Sequence, residues 1–370
     1  MKRFIPVYFS AVLITLCASS AFAEGSITPP KDAYVDGQPT STMKSMNDVE
    51  PRNLVTYLPY TITNPGSYYL ASPLKGTNAS SGIIIGQSDV TLDLNGFSLN
   101  GVTGSVNGIE VSGEQHNITI HNGVIRGWGD NGIMAANAHA CKVADLDVGD
   151  NGLSGVVLGD NVRAMKCSFG ENMQDGLVVG DGATVESCKA FENHGNGIIT
   201  GVGSHVTGCT SAMNWGDGID VQMYSVVREN IAAMNTNFGI AVNASCYVVD
   251  NTTGDNGKGA SPAAGILITG PGTRVKDNNV TANQQGIVIQ SQGNWIENNN
   301  IVDNMDFAID ADTHSNAANN FIVRNICALP LAETAPGTNF IVGSNNFHGR
   351  IIKEPGGGFS TNNPWANFDF

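Results

Sequence analysis

Basic residues are scarce in this chain: Lys and Arg number 18 against 33 Asp and Glu, for a formal charge of −15. No cluster of them offsets the deficit. Such a surface repels DNA, anionic lipid and polyanionic glycans unless a cation bridges them, so nucleic acid is excluded as a partner. Long apolar runs are also missing after residue 16; none reaches the roughly 18 residues of a membrane span. Leucine is sparse, and no segment carries an apolar 3.6-residue period long enough for a helix, which argues against leucine-rich repeats. No C-x-x-C and no Cys/His pair at zinc spacing occurs.

The chain opens with Lys2 and Arg3, an apolar run from Phe4 to Leu16, and Ala21-Phe22-Ala23. This reads as a secretory signal peptide over residues 1–23, set aside for the fold. Removing Lys2 and Arg3 takes the charge from −15 to −17. The expected mature protein is secreted, periplasmic or at the cell surface, and is not inserted in a membrane. Residues 24–57, polar and Pro-containing, read as an N-terminal arm.

Glycine is abundant, at 45 residues, and it recurs on a beat. "ENMQDGLVV", "ENHGNGIIT" and "MNWGDGIDV" begin at Glu171, Glu192 and Met213. The glycine before each aliphatic run falls at 82, 108, 132, 155, 176, 197, 218, 239, 265 and 286, with Ala308 in the last place. The steps are 21 to 26 residues, so the chain is a solenoid. After each glycine the first and third residues are aliphatic, as in Leu177/Val179, Ile219/Val221 and Ile266/Ile268. Period two means a short strand with those positions on one face. Val185, Val206, Val275 and Ile296 mark a second inward column. The fold class is therefore all-β, a parallel β-helix of about 11 coils with a period of about 21 residues, spanning 58–352, with residues 353–370 as tail or cap. Residues 254–264 hold a five-residue insertion.

Two ladders are expected. Asn151, Asn172, Asn193, Asn214, Asn235 and Asn304 lie four residues before the aligned position and Asn283 three before. Stacked amides can bond one another and satisfy buried turn groups, and Asn tolerates left-handed backbone. Cys167, Cys188 and Cys209, 21 residues apart, should form a second ladder facing the core, with Asn230 next in line. An exported protein with six mature cysteines (these three, Cys141, Cys246 and Cys327) invites disulfides. An odd ladder leaves one thiol over, and packed, reduced cysteines are the favoured reading.

The Asn-x-x-x-Gly-Ile repeats, with "TITNPGSYYLASPLKG", "VTLDLNGFSLNG" and "ITIHNGVIRGWGDNGI", resemble the right-handed parallel β-helix proteins of the pectin-lyase-like superfamily over roughly Leu58 to Ile352. That resemblance implies the handedness, and a superfamily of lyases, hydrolases, epimerases and adhesins. Polygalacturonase-like members would show an Asp-Asp pair and Gly-His-Gly on neighbouring coils. Here His194 precedes Gly195, Asp217 and Asp220 lie in "NWGDGID", and no Asp-Asp pair exists. Pectate-lyase-like members would need an arginine base and a basic cleft, and Arg228 has little basic company.

The central coils carry the candidate site. Asp175, Asn196 and Asp217 each precede an aligned glycine and should stack as one column; His194 and Trp215 lie three residues before it, Glu171 and Glu192 five. Paired carboxylates can act as acid and base in glycoside cleavage, and an exposed Trp can stack on a sugar face. The residues expected to be catalytic are Asp175, Asp217 and His194; those expected to bind substrate are Trp215, Asp220 and Glu192. The bland alternative is that Asp and Asn suit turns. The carboxylates leave room for Ca2+, although no established calcium loop occurs, and no other cofactor or metal is expected.

Three functions compete. The leading one is binding, with cleavage, of a neutral or weakly charged polysaccharide. The alternative is a non-catalytic structural or adhesin-type β-helix. A metal-handling role, suggested by β-helix domains of periplasmic proteins, finds no His or Met at ligand spacing. Finally, the position two past each aligned glycine is apolar from Met134 to Val288 except at Asp220. Its neighbours face inward, so this stripe is expected to face outward and, from Val157 to Val288, to support a homo-oligomer or to be covered by the arm.

Overall fold

The structure, a computed structural model, describes residues 34–35, 38–39, 51–257, 263–328, 339–353 and 361–369. Residues 1–23, read as a signal peptide, and most of residues 24–57, read as an arm, lie outside the described residues. The chain divides into two units, 1–51 and 52–370. In the first, Tyr34–Val35 and Gln38–Pro39 pair antiparallel. The second begins earlier than the boundary at 57: Asn53–Val55 already pairs in parallel with Gly66–Leu70, and Val55 is buried.

Every strand pairing of the second unit is parallel, and along the body of the β-helix each runs to the equivalent strand of the next coil; at the C-terminal end Asn367–Asp369 lies between Ile326–Ala328 and Ile351–Lys353. One coil shows the plan. Leu177–Val179 belongs to a first sheet, Thr184–Glu186 to a second and Lys189–Phe191 to a third. No helix occurs among the described residues. The first sheet has thirteen strands, from Tyr60–Ile62 to Phe340–Val342, one beyond each end of the eleven aligned positions. Those outer coils lack the aligned glycine, which hides them from the sequence. At ~4.8 Å per rung the sheet is roughly 55–60 Å long. The last residues do not merely cover the open end: Asn367–Asp369 pairs with Ile326–Ala328 as a further rung.

The inward positions are filled as the period of two requires. Leu177, Val179, Ile219, Val221, Ile266 and Ile268 are buried, as are Val185, Val206, Val275 and Ile296, and they share one core running from Val55 to Phe340. The aligned glycine follows from close approach of backbones. A Cβ at Gly176 would stand 2.6 Å from the carbonyl oxygen of Gly197, and one at Gly197 would meet Gly218 O at 2.7 Å and the Asn214 amide at 2.7 Å. No side chain fits between coils there.

The asparagine ladder runs without a break. From Asn151 through Asn172, Asn193, Asn214, Asn235, Asn256 and Asn283, each donates from Nδ2 to Oδ1 of the next, at 2.8–3.0 Å, ending at Asn304, whose Nδ2 donates to Val280 O. Asn256 escapes the sequence register because the insertion follows it. One expectation is corrected. The ladder asparagines are not the left-handed residues; the residue before each one is, as at Glu171, Glu192, Met213 and Met234, with φ of 53–57°. Asn is selected here for its buried amide and not for its backbone tolerance.

The same device serves the other corners. Between second and third strands, Cys209 N–H donates to Asn230 Oδ1 at 2.8 Å, and the column continues through Asn251, Asn278, Asn299, Asn325 and Asn367. Between first and second strands, Ser204, Ser225, Cys246, Thr273, Asn294, Asn320 and Asn346 take the place.

The six cysteines among the described residues are buried and unbridged. Cys167, Cys188 and Cys209 stack in one column, and Cys141, Cys246 and Cys327 lie elsewhere in the core. The Cys188 thiol beside it, together with burial, pushes Cys167 well above the ordinary thiol range; burial likewise raises Cys141. Buried neutral thiols are poor nucleophiles. The three stacked cysteines are expected to react with a thiol reagent only after denaturation; mass spectrometry of the native protein that finds any two bridged overturns this.

The outward stripe needs correction. Met134, Val157, Val178 and Ile199 are part-exposed, but Ala241, Leu267 and Val288 are buried in a small second cluster with Ala264, flanked by Phe238 and Phe307. Asp310 is buried too and accepts Asp312 N–H and Thr313 N–H at 3.0 Å. The C-terminal half of the stripe therefore offers no open face for another copy, because aromatic residues of the adjoining turns fold over it.

Candidate functional site

Two places on the second unit bring chemistry together. The first is the expected central patch. Asp175, Asn196 and Asp217 do stack, and they are tied into the backbone. Asn196 N–H donates to Asp175 Oδ1 at 2.7 Å, Asp217 N–H to Asn196 Oδ1 at 2.7 Å, and Phe238 N–H to Asp217 Oδ1 at 3.1 Å. An external ladder of the same design joins Asp160 to Asp181 N–H and Asp181 to Val202 N–H. One oxygen of each carboxylate thus holds the turn above it.

Asp220 lies at the centre of the strand Ile219–Val221, on the outward face, paired with Ile199 below and Ala241 above. Burial, then the nearby charges of Asp217 and Asp175, raise its carboxyl to about 6. Burial also raises Asp217, against hydrogen bonds from Phe238 N–H and the Asn237 side chain. The three carboxyls therefore form one electrostatic group, and Asp220 is the member most ready to carry a proton near neutral pH. Expected to bind, it is better placed than Asp175 or Asp217 to act as an acid.

His194 and Trp215 stack on each other, with ring centroids 4.2 Å apart and planes 11° from parallel. Trp215 is 62% exposed. One ring face of the indole is thereby occupied by the imidazole and the rest is open. Glu192 and Glu171 are exposed beside the ladder corner.

The second place escapes the reading of the central coils. Trp295, Phe321 and Phe347 open successive strands of the second sheet, and they stack outward with centroids 5.0 and 5.9 Å apart. Arg274, one rung earlier, sits 5.7 Å over Trp295 and is bonded to the buried Glu297. Trp365, His348 and Arg350 complete a groove of about 720 Å³. A signal was present: an Asn followed by an aromatic at 294/295, 320/321 and 346/347. The chain's Arg-x-Lys, Arg274-Val275-Lys276, belongs to this sheet, with Lys276 paired to Asp277 at 3.0 Å.

Comparison with known proteins places this geometry. One family profile, the right-handed beta helix region, matches residues 71–207; a second, the periplasmic copper-binding protein NosD, matches residues 167–327. Among solved structures, the A-module of mannuronan C-5 epimerase AlgE4 of Azotobacter vinelandii superposes with a TM-score of 0.60 at 15% identity, covering 75% of this chain and 91% of that one. The chain is a right-handed parallel β-helix. The A-module of the AlgE6 epimerase from the same organism gives a TM-score of 0.53 at 14% identity, over 80% of this chain and 87% of the module. No curated protein matches.

Copper, named in the second profile, does not fit the residues of this β-helix. Among the described residues no group of three or more His, Cys, Asp or Glu is placed to hold a metal ion. The thiols are sealed in the core, and the His194 ring is stacked on an indole. Nor is any helix among the described residues long and apolar enough to cross a membrane.

Proposed function

We propose that this β-helix is an exported protein that binds a neutral or weakly charged polysaccharide along the first-sheet face and cleaves it at Asp220. The observation that carries the proposal is the Asp220 carboxyl, raised to about 6 within a group of three carboxyls on an otherwise apolar outward column. A carboxyl that holds its proton up to about pH 6 can protonate a leaving oxygen, while the carboxylate of Asp175 or Asp217 activates water or stabilises positive charge on the sugar. Trp215 offers an open indole for a sugar face. Similarity to modules of mannuronan C-5 epimerases supports a polysaccharide as the ligand class, and the acidic cluster argues against a polyanion at this face.

A second reading is a non-catalytic structural or adhesin-type β-helix. It is favoured by the bonds that Asp175, Asn196 and Asp217 make to the backbone of the next coil, since a turn ladder alone needs these residue types. One experiment separates the two. The full chain is incubated with a panel of neutral polysaccharides, and reducing ends and unsaturated products are measured. The cleaving reading expects product release that falls as pH rises through about 6, and at least a hundred-fold loss in Asp220→Asn. Binding without product, weakened by Trp215→Ala and indifferent to Asp220→Asn, establishes the non-catalytic reading.

A further inference from the structure

The aromatic groove at the C-terminal end of the second sheet belongs to neither reading. Trp295, Phe321, Phe347 and Trp365 are 39, 39, 57 and 45% exposed. Large aromatics are normally buried, and several gathered in one concave place mark a contact surface. The column is held open by its register. Trp295 pairs with Phe321 and Phe321 with Phe347 on consecutive rungs, and the rings tilt by 32 and 31°. Because the backbone sets the spacing, the strip is rigid before any ligand arrives.

Its charge is opposite to that of the rest of the molecule. Arg324 lies 4.4 Å over the Trp365 ring, its Nε donating to Pro364 O at 2.8 Å. Arg350 lines the groove, and neither guanidinium meets a carboxylate among the described residues. Two uncompensated guanidinia beside exposed aromatic rings, in a chain with 33 acidic residues, form a local anion-attracting surface. His348 directs Nδ1 toward Gly349 O at 2.9 Å, which leaves Nε2 for a ligand. Asn363, at the rim, adds an amide.

An apolar protein segment would use the rings but leave the arginines without a counter-charge. A phosphate or other small anion would use the arginines but not the strip. A ligand with flat C–H faces, hydroxyls and carboxylates at repeating intervals uses all three. We infer that this groove is a saccharide-binding site for uronate-bearing glycan chains, separate from the Asp220 face. Pyranose faces lie on Trp295, Phe321 and Phe347, and a carboxylate pairs with Arg350.

Affinity electrophoresis of the full chain tests this, with polygalacturonate or dextran cast in the gel. Retardation by polygalacturonate is expected, stronger than by dextran and weakened by added salt. Phe347→Ala and Trp295→Ala should each reduce affinity about ten-fold or more, with thermal unfolding near that of the wild type. Arg350→Gln should remove the preference for polygalacturonate over dextran. Asn300→Ala, on an exposed site outside both places, should leave retardation unchanged, and absence of cleavage at the Asp220 face leaves this reading standing, because polygalacturonate retardation is read at Phe347 and Arg350. If Trp295→Ala does not fold, Phe347→Ala, the most exposed ring, decides alone. Absence of retardation by polygalacturonate overturns the proposal, as does full retardation in a folded Phe347→Ala. A wild-type dimer in sedimentation that Phe347→Ala dissolves also overturns it, because a second copy then fills the groove.

Discussion

Replacing Asn193 by Ala should lower stability by roughly 3–5 kcal/mol, more than any conservative surface change in this protein. Asn193 is fully buried inside the longest ladder, with asparagines stacked on both sides. Its Oδ1 accepts from Asn172 N–H at 3.2 Å and from Asn172 Nδ2 at 2.9 Å, and its Nδ2 donates to Phe169 O at 3.0 Å and Asn214 Oδ1 at 2.9 Å. Alanine leaves the Asn172 backbone donor without a partner and its amide with only a long contact to Val148 O at 3.5 Å. Each stranded buried group costs about 1–3 kcal/mol. Coils contact only their neighbours, so the defect should also divide unfolding into separate steps for the two halves. Urea titration followed by circular dichroism measures both effects. The exposed Asn300, whose amide reaches only Asn279 at 2.8 Å, is the control; Asn300→Ala should stay within about 0.5 kcal/mol of wild type. Equal effects at the two sites would remove the ladder as a stabilising element.

Replacing Asp220 by Asn should stabilise the protein at neutral pH. Burial and the charges of Asp217 and Asp175 raise this carboxyl from 3.8 to about 6 in the folded chain. A folded-state pKa above the unfolded one means that the protonated form is the stabilised form. The contribution is complete below about pH 4 and is lost as pH rises through 6. Two pKa units correspond to nearly 3 kcal/mol, and partial solvent access reduces this to about 2 kcal/mol. Asp220→Asn should therefore unfold at higher urea than wild type at pH 7.5 and at the same urea at pH 4. A variant no more stable at pH 7.5 shows that the three carboxyls do not strain one another. Retaining a destabilising carboxyl in the wild type agrees with a functional use for it, since active sites commonly give up stability.

Much of the fold was legible because a solenoid repeats its constraints. Gly176 and Gly197 recur where a Cβ would strike the next coil's carbonyl, so their spacing reports the coil length. Val185 and Val206 recur because the core admits only apolar residues there. The serine, cysteine and threonine column at the first corner was not legible. Ser204, Ser225, Cys246 and Thr273 do the same work with different atoms, and a register built on identity passes over them. The left-handed residues were invisible for the opposite reason: Glu192, Met213 and Met234 adopt the same φ without sharing any chemistry.

Of the candidate site, sequence alone determined the columns. Asp175, Asn196 and Asp217 were bound to stack, and His194 was bound to meet Trp215, because residues one period apart become neighbours at one rung. What those side chains do there was decided only in three dimensions. The backbone N–H groups of Asn196 and Phe238 take one oxygen each from Asp175 and Asp217, while Asp220, buried and without such a donor, feels their charge and holds its proton up to about pH 6. Phe238 and Phe307 fold over the stripe that alternation had left open, and Trp365, far along the chain, joins Trp295 in one groove. Periodicity fixes the angle at which a side chain leaves the solenoid. Burial, hydrogen bonding and charge are set by what else comes to occupy the space it leaves into.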